Sequence, residues 1–270
     1  HQCVLCADTG HINVHESGAV EACGHKVSAI PSPDGKLTAR QIEEAWHAQW
    51  DDETREHMPQ PRMVYISQPT ELGTIYSRKE LQEISGVCRR RGLYLYMDGA
   101  RLGYGLCDED NDLDLPAIAS LCDAFYIGGT KVGALFGEAL VLRHEALKED
   151  FRYIAKQKGG RLAKGRLLGI QFLELFRDGL YFRLGAHADR LAVMLRDFCR
   201  SRGLSLPFSS GTNQQFVTMP DSVLEELGRK YGFAYLRRED ETHSTVRFCM
   251  SWATREEDVR ELMADIARLC

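Results

Sequence analysis

The chain has 270 residues, 44% hydrophobic and 27% charged, with a formal net charge of −5. That composition belongs to an ordinary globular protein able to bury one large core and a smaller one. It carries no basic excess to recommend nucleic acid or an anionic membrane, and no apolar stretch approaches the ~20 residues of a membrane span. Small-molecule chemistry is the default.

The nine cysteines are irregularly spaced. Cys3 and Cys6 are the one close pair, and no second pair completes a zinc site, so no metal is expected. They read as reduced thiols and, with no signal-like opening, place the chain in the cytoplasm. The chain starts at His1 without a methionine, almost inside an apolar run, and reads as a fragment.

In chain order, the first run of interest after residues 3–6 is His11-Ile12-Asn13-Val14-His15-Glu16. An imidazole lies flat on an aromatic ring or moves a proton near neutral pH, so either His11 or His15 is a candidate; a structural histidine is the alternative. Thr38 with Gln41 three residues on predicts a capping box opening a helix through Trp46, and Ser77 with Glu80 predicts another whose helix ends before Gly92. Between them 64–67 reads as a strand. So does 93–97, which runs straight into Asp98-Gly99-Ala100-Arg101.

A helical stretch near 115–121 follows, then a strand at 124–127 leading into Gly128-Gly129-Thr130-Lys131, then a strand at 139–142. This alternation is the α/β pattern. After about residue 145 the apolar spacing turns helical, with Leu167, Leu168, Phe172 and Leu175 and then Leu191, Leu195 and Phe198 as packing stripes. Strands at 215–219 and 245–250 and a helix capped at Thr254 close the chain. The predicted fold is α/β, a mostly parallel sheet sandwiched by helices over residues 1–165, with a linking helix and a smaller α+β domain over 166–270.

Asp98 and Lys131 both stand at strand ends, where open parallel sheets gather ligands. Pyridoxal phosphate is a cofactor that needs both groups. A lysine amine forms a Schiff base with its aldehyde, while a carboxylate keeps the pyridine nitrogen protonated so that the ring accepts electrons. On these two motifs alone the alternative is a capping Asp98 and a solvated Lys131.

With His11 added, the set resembles the threonine aldolases, within the pyridoxal-phosphate superfamily shared with aspartate aminotransferases and β-eliminating lyases. The resemblance extends over the whole chain, through 66–76, 159–166 and Val246-Arg247-Phe248 with Ser251-Trp252. It implies that Lys131 carries the covalent link to the cofactor, Asp98 pairs with the pyridine nitrogen and His11 stacks on the ring. It further implies that Arg101 lies near the phenolic oxygen, beside Thr130, and that Arg247 grips the substrate carboxylate. His15 falls where relatives carry an aromatic residue near the substrate side chain, and Thr70 where many have a histidine close to the substrate hydroxyl.

Lys164 and Arg166 lie in a glycine-rich segment that either approaches the cofactor phosphate from a neighbouring subunit or is a solvated loop. The resemblance also implies a further stretch ahead of His1 with a Gly-Thr-rich turn for the phosphate, since Gly128–Lys131 lacks P-loop spacing. The implied reaction is cleavage of a β-hydroxy-α-amino acid, threonine or allo-threonine, to glycine and an aldehyde, by a homodimer or homotetramer acting on a small amino acid. β-Elimination or transamination on the same scaffold, or a non-catalytic domain of this fold, are the rival readings.

Overall fold

A computed structural model describes residues 1–270. The first half runs β1 (Gln2–Ala7), α1 (His11–Val14), α2 (Ala19–Ala22), β2 (Lys26–Ile30), α3 (Ala39–Trp50), β3 (Gln60–Ser67), α4 (Arg78–Arg91), β4 (Tyr94–Asp98), α5 (Leu102–Gly105), α6 (Leu115–Leu121), β5 (Ala124–Gly128) and β6 (Glu138–Leu142). The second half runs α7 (Phe151–Gln157), α8 (Arg166–Phe176), α9 (Leu180–Ser201), β7 (Gln214–Pro220), α10 (Asp221–Gly228), β8 (Ala234–Arg238), β9 (His243–Cys249) and α11 (Glu256–Leu269). No helix is long and apolar enough to cross a membrane.

Six strands form one sheet in the order β2-β1-β3-β4-β5-β6. All neighbours are parallel except β5 and β6, which pair antiparallel. β7, β9 and β8 form a separate antiparallel sheet. The expected mostly parallel sheet with a smaller α+β unit is therefore borne out. β2 and β8 escaped the sequence reading because they are edge strands, β2 half exposed and β8 exposed throughout, so they lack the apolar run that marks a buried strand.

Local chemistry accounts for the helices around the large sheet. Thr38 and Ser77 both form the expected capping boxes, each hydroxyl accepting from the backbone three residues on and each Gln or Glu reaching back. α4 buries Leu81, Ile84, Val87 and Cys88 at helical spacing and stops at Gly92 in the left-handed region. Each such side chain adds roughly 1.5–3 kcal/mol of burial. The expected cap at Thr254 is not formed: its hydroxyl accepts from Ser251 N at 2.9 Å, and α11 starts two residues later with no side-chain cap.

α9 ties the halves together. Its Leu191, Ala192, Leu195 and Cys199 are fully buried and belong to one continuous core with Met97 of β4 and Val217 of β7.

Candidate active site

The ends of β4 and β5 are locked together by their glycines. Gly128 N donates to Gly99 O at 2.9 Å. A Cβ on Gly99 would lie 1.9 Å from Tyr126 O, and one on Gly128 would lie 2.3 Å from Ala100 O. Only glycine permits that approach, and it holds Asp98 and Lys131 on the walls of one cavity of about 150 Å³.

Asp98 is 8% exposed. Its Oδ1 accepts from Ala100 N at 2.8 Å and from the Tyr126 hydroxyl, and its Oδ2 accepts from the Tyr65 hydroxyl. Burial and the Asp98 charge push both tyrosine pKa values far up, so both phenols stay protonated as donors. A carboxylate offers about four acceptor sites. Three are filled, which leaves Oδ2 free to take one donor from the cavity.

Lys131 follows in a 3₁₀ turn, Thr130–Val132, whose backbone is fixed by the Tyr104 hydroxyl donating to Lys131 O. The residue is exposed at the cavity mouth. Its amine has no hydrogen-bond or ion-pair partner, and the loss of water around it on the cavity wall, then the Arg101 charge, pull its pKa down against the opposing pull of Asp98 and Glu138, although the residue as a whole is exposed. A lowered pKa enlarges the neutral, nucleophilic fraction. Thr130 is exposed on the same wall.

Arg101 also lines the cavity, with its guanidinium unpartnered and its pKa lowered chiefly by burial. Arg247, on β9, donates to Gln214 Oε1 at 3.1 Å and leaves its Nε buried with no partner. Its charge reaches both Lys131 and Arg101. Three cations thus share a region with unsatisfied donors, an arrangement that calls for anionic oxygen from outside the chain.

His11 lines the cavity from α1, its ring bonded to Glu16 and its backbone N donating to Glu71 Oε1 at 2.9 Å. His15 does not line the cavity; it is exposed, its ring 4.9 Å from that of His11. Thr70, expected at the substrate, stands elsewhere. It is fully buried, with its Oγ1 on Thr74 Oγ1 at 2.6 Å and turned to Asp34 O at 3.4 Å. The neighbouring Glu71 occupies the cavity wall in its stead.

Lys164, at positive φ, and Arg166, at the start of α8, sit on the exposed face beyond β6. Sequence reasoning missed Tyr65, Tyr126, Glu71 and Glu138. The two tyrosines read as strand aromatics, and the signal that would have found them is the register pairing β3 and β5 with the strand that ends in Asp98.

The residues present fit pyridoxal phosphate. A free acceptor site on a buried carboxylate, an unpartnered amine and an unpartnered guanidinium face one cavity, as its pyridine nitrogen, carbonyl carbon and phenolic oxygen require.

Residues 1–222 match the family described as Beta-eliminating lyase. The chain is 36% identical to a low specificity L-threonine aldolase of Pseudomonas sp. (strain NCIMB 10558), over 97% of this chain and 75% of that protein. It is 34% identical to a low specificity L-threonine aldolase of Pseudomonas aeruginosa with the same coverage. Among solved structures, a threonine aldolase of Leishmania major superposes with a TM-score of 0.95 at 43% identity, covering 99% of this chain and 77% of that one. A Thermus thermophilus aspartate aminotransferase mutant, at 14% identity and a TM-score of 0.71 over 100% of this chain and 70% of that one, shares the fold.

Proposed function

Since the chain belongs to the β-eliminating lyase family, whose members are pyridoxal-phosphate enzymes, we propose that it cleaves β-hydroxy-α-amino acids, threonine or allo-threonine, to glycine and an aldehyde. The observation that carries this reading is the shared cavity, with buried Asp98 and the free amine of Lys131 on its walls. The similarity to low specificity L-threonine aldolases selects the carbon–carbon cleavage over its rivals.

When bound, the cofactor supplies an electron sink for the pair released as Cα–Cβ breaks. Asp98, its carboxyl oriented by the two tyrosines and Ala100 N, would hold the pyridine nitrogen at Oδ2. Lys131 provides the amine that would hold the cofactor's carbonyl carbon, and the same amine is placed to move a proton at the substrate Cα. Arg101 answers the phenolic oxygen.

Arg247, whose charge is felt at Lys131 and Arg101 although it does not line the cavity itself, is the group that takes the substrate carboxylate in this reading. The ring of His11, on the cavity wall and held by Glu16, would stack on the cofactor ring. His15 lends its ring to that of His11 and, exposed as it is, serves the outer rim.

A second copy of the chain completes the assembly in this reading, as a homodimer or homotetramer. Leu135 and Phe136 beside the cavity, and Leu167, Ile170 and Leu173 at three-residue steps along α8, are all exposed. Contiguous apolar side chains in that position favour a covered face. Lys164 and Arg166 at the start of the same helix would then be carried toward the neighbouring cavity. In this reading the large unit takes residues 1–165, and the linking helix with the smaller unit takes 166–270. Nine free thiols support a reducing compartment, the cytoplasm.

Product analysis tests the reading. Holoenzyme given L-threonine is expected to release glycine and acetaldehyde in equal amounts, with both lost in Lys131→Ala. Pyruvate with ammonia, or a keto acid with a new amino acid, overturns it.

A further inference from the structure

Proton removal from the substrate β-hydroxyl needs a group that the assignments above do not supply. The His11 ring is committed to Glu16, and Thr70 is buried outside the cavity. Three other acids line it. Glu16 is exposed and bound to His11, and Glu138 accepts from Gly129 N at 3.1 Å. Glu71 differs from both.

Both of its hydrogen bonds fall on one oxygen. Oε1 accepts from Ser67 Oγ at 2.7 Å and from His11 N at 2.9 Å, while Oε2 has no partner. Ser67 is the Cα partner of Asp98 in the β3–β4 register, so the Glu71 carboxyl is anchored at the level of Asp98. Two anchors on Oε1 fix the group's direction and leave Oε2 as the working atom.

We infer that Glu71 is the catalytic residue that takes the proton from the substrate β-hydroxyl at Oε2, an inference that rests on the aldol-cleavage reading. As the proton moves to Oε2, the oxygen forms a double bond to Cβ and the Cα–Cβ bond breaks. The bonding pair stays with Cα beside the bound cofactor. Cα then takes a proton and leaves in glycine, the carbonyl compound departs, and Oε2 returns its proton to solvent. Burial, reinforced by the Asp98 charge, raises the Glu71 pKa, which makes it a stronger base than an exposed carboxylate.

Glycine has no β-hydroxyl, and this separates the role from a general one. Glu71→Gln keeps an acceptor for Ser67 and His11 and loses the base. It is expected to lower kcat/KM for threonine cleavage on the order of 10²–10³-fold. Exchange of the glycine α-hydrogen with deuterated solvent, and cofactor affinity from an absorbance titration, are expected to stay within about threefold.

Cleavage within threefold of wild type, or parallel loss of glycine exchange, overturns the assignment. Where Glu71→Gln does not accumulate as folded protein, Glu71→Asp, which withdraws the acid by one methylene, is expected to show the same selective loss, and equal loss of both reactions overturns the role. A wild-type enzyme that exchanges glycine but cleaves no β-hydroxy amino acid refutes the aldolase reading itself, and the base with it.

Discussion

Asp98 and Asp189 are buried almost alike, at 8% and 4% exposure, and their surroundings are opposite. Asp98 ends a strand of the large sheet and accepts three hydrogen bonds. Asp189 lies midway along α9 with both carboxyl oxygens buried and no well-formed hydrogen bond to either, and burial, then the charge of Asp108, pushes its pKa up to about 9 against a smaller opposing pull from the backbone N–H of Asn213. The first is a carboxyl whose donors the chain has arranged. The second is an acid driven toward its neutral form at the packing between α9 and the loop before β7. Burial by itself therefore says little about function; what separates the two is whether donors surround the group and whether it faces a cavity.

The largest effect should come from Asp98→Asn. The variant keeps the shape but no longer offers a charge to a pyridinium, and kcat is expected to fall on the order of 10³–10⁴-fold, about 4–5 kcal/mol on the barrier. Apoprotein melting should move far less than the rate. A kcat within tenfold of wild type, with cofactor bound, would place Asp98 among capping residues.

Asp189→Asn should do the reverse. Between pH 3.8, the unperturbed value, and about 9 the folded chain holds a proton on Asp189 that the unfolded chain has released. Stability therefore falls as pH rises through that window, by up to about 1.4 kcal/mol per pH unit. The asparagine variant lacks that slope and should gain roughly 4 kcal/mol over wild type at pH 7, with the gain vanishing near pH 4. Urea unfolding at pH 4.5, 6 and 7.5 measures it, and kcat should change by less than about twofold. Parallel stability profiles for the two proteins would show that Asp189 ionises freely in the fold.

These two aspartates also mark what the sequence makes legible. Asp98 stands out because an apolar run stops on it, and Lys131 because an apolar run stops on two glycines before it; both signals are local. The capping boxes at Thr38 and Ser77 are local too. Tyr65, Tyr126 and Glu71 are not, because their roles arise from strand register and from a turn folding back on β3. Asp189 sits in an amphipathic helix between Ala188 and Arg190 with nothing to distinguish it from a solvated acid. Its burial depends on the loop before β7, far away in the chain. Thr254 shows the converse: a good local signal lost when Ser251 N took its hydroxyl.

Thr70 tests whether satisfied donors and acceptors alone mark a site. Like Asp98 it is buried and well partnered, with Thr74 Oγ1 at 2.6 Å, Asp34 O at 3.4 Å and Leu72 N donating to it at 3.3 Å. Every one of those contacts is internal, so no bonding capacity is turned toward the cavity, whereas Asp98 keeps an acceptor site there. Thr70→Val should therefore cost about 1–2 kcal/mol of stability, the price of unpaired partners, and leave the KM for threonine within about twofold once the protein is folded. A tenfold rise in KM with stability unchanged would mean that the hydroxyl reaches substrate, and that partnering and cavity access are not the features that divide catalytic from structural polar groups in this chain.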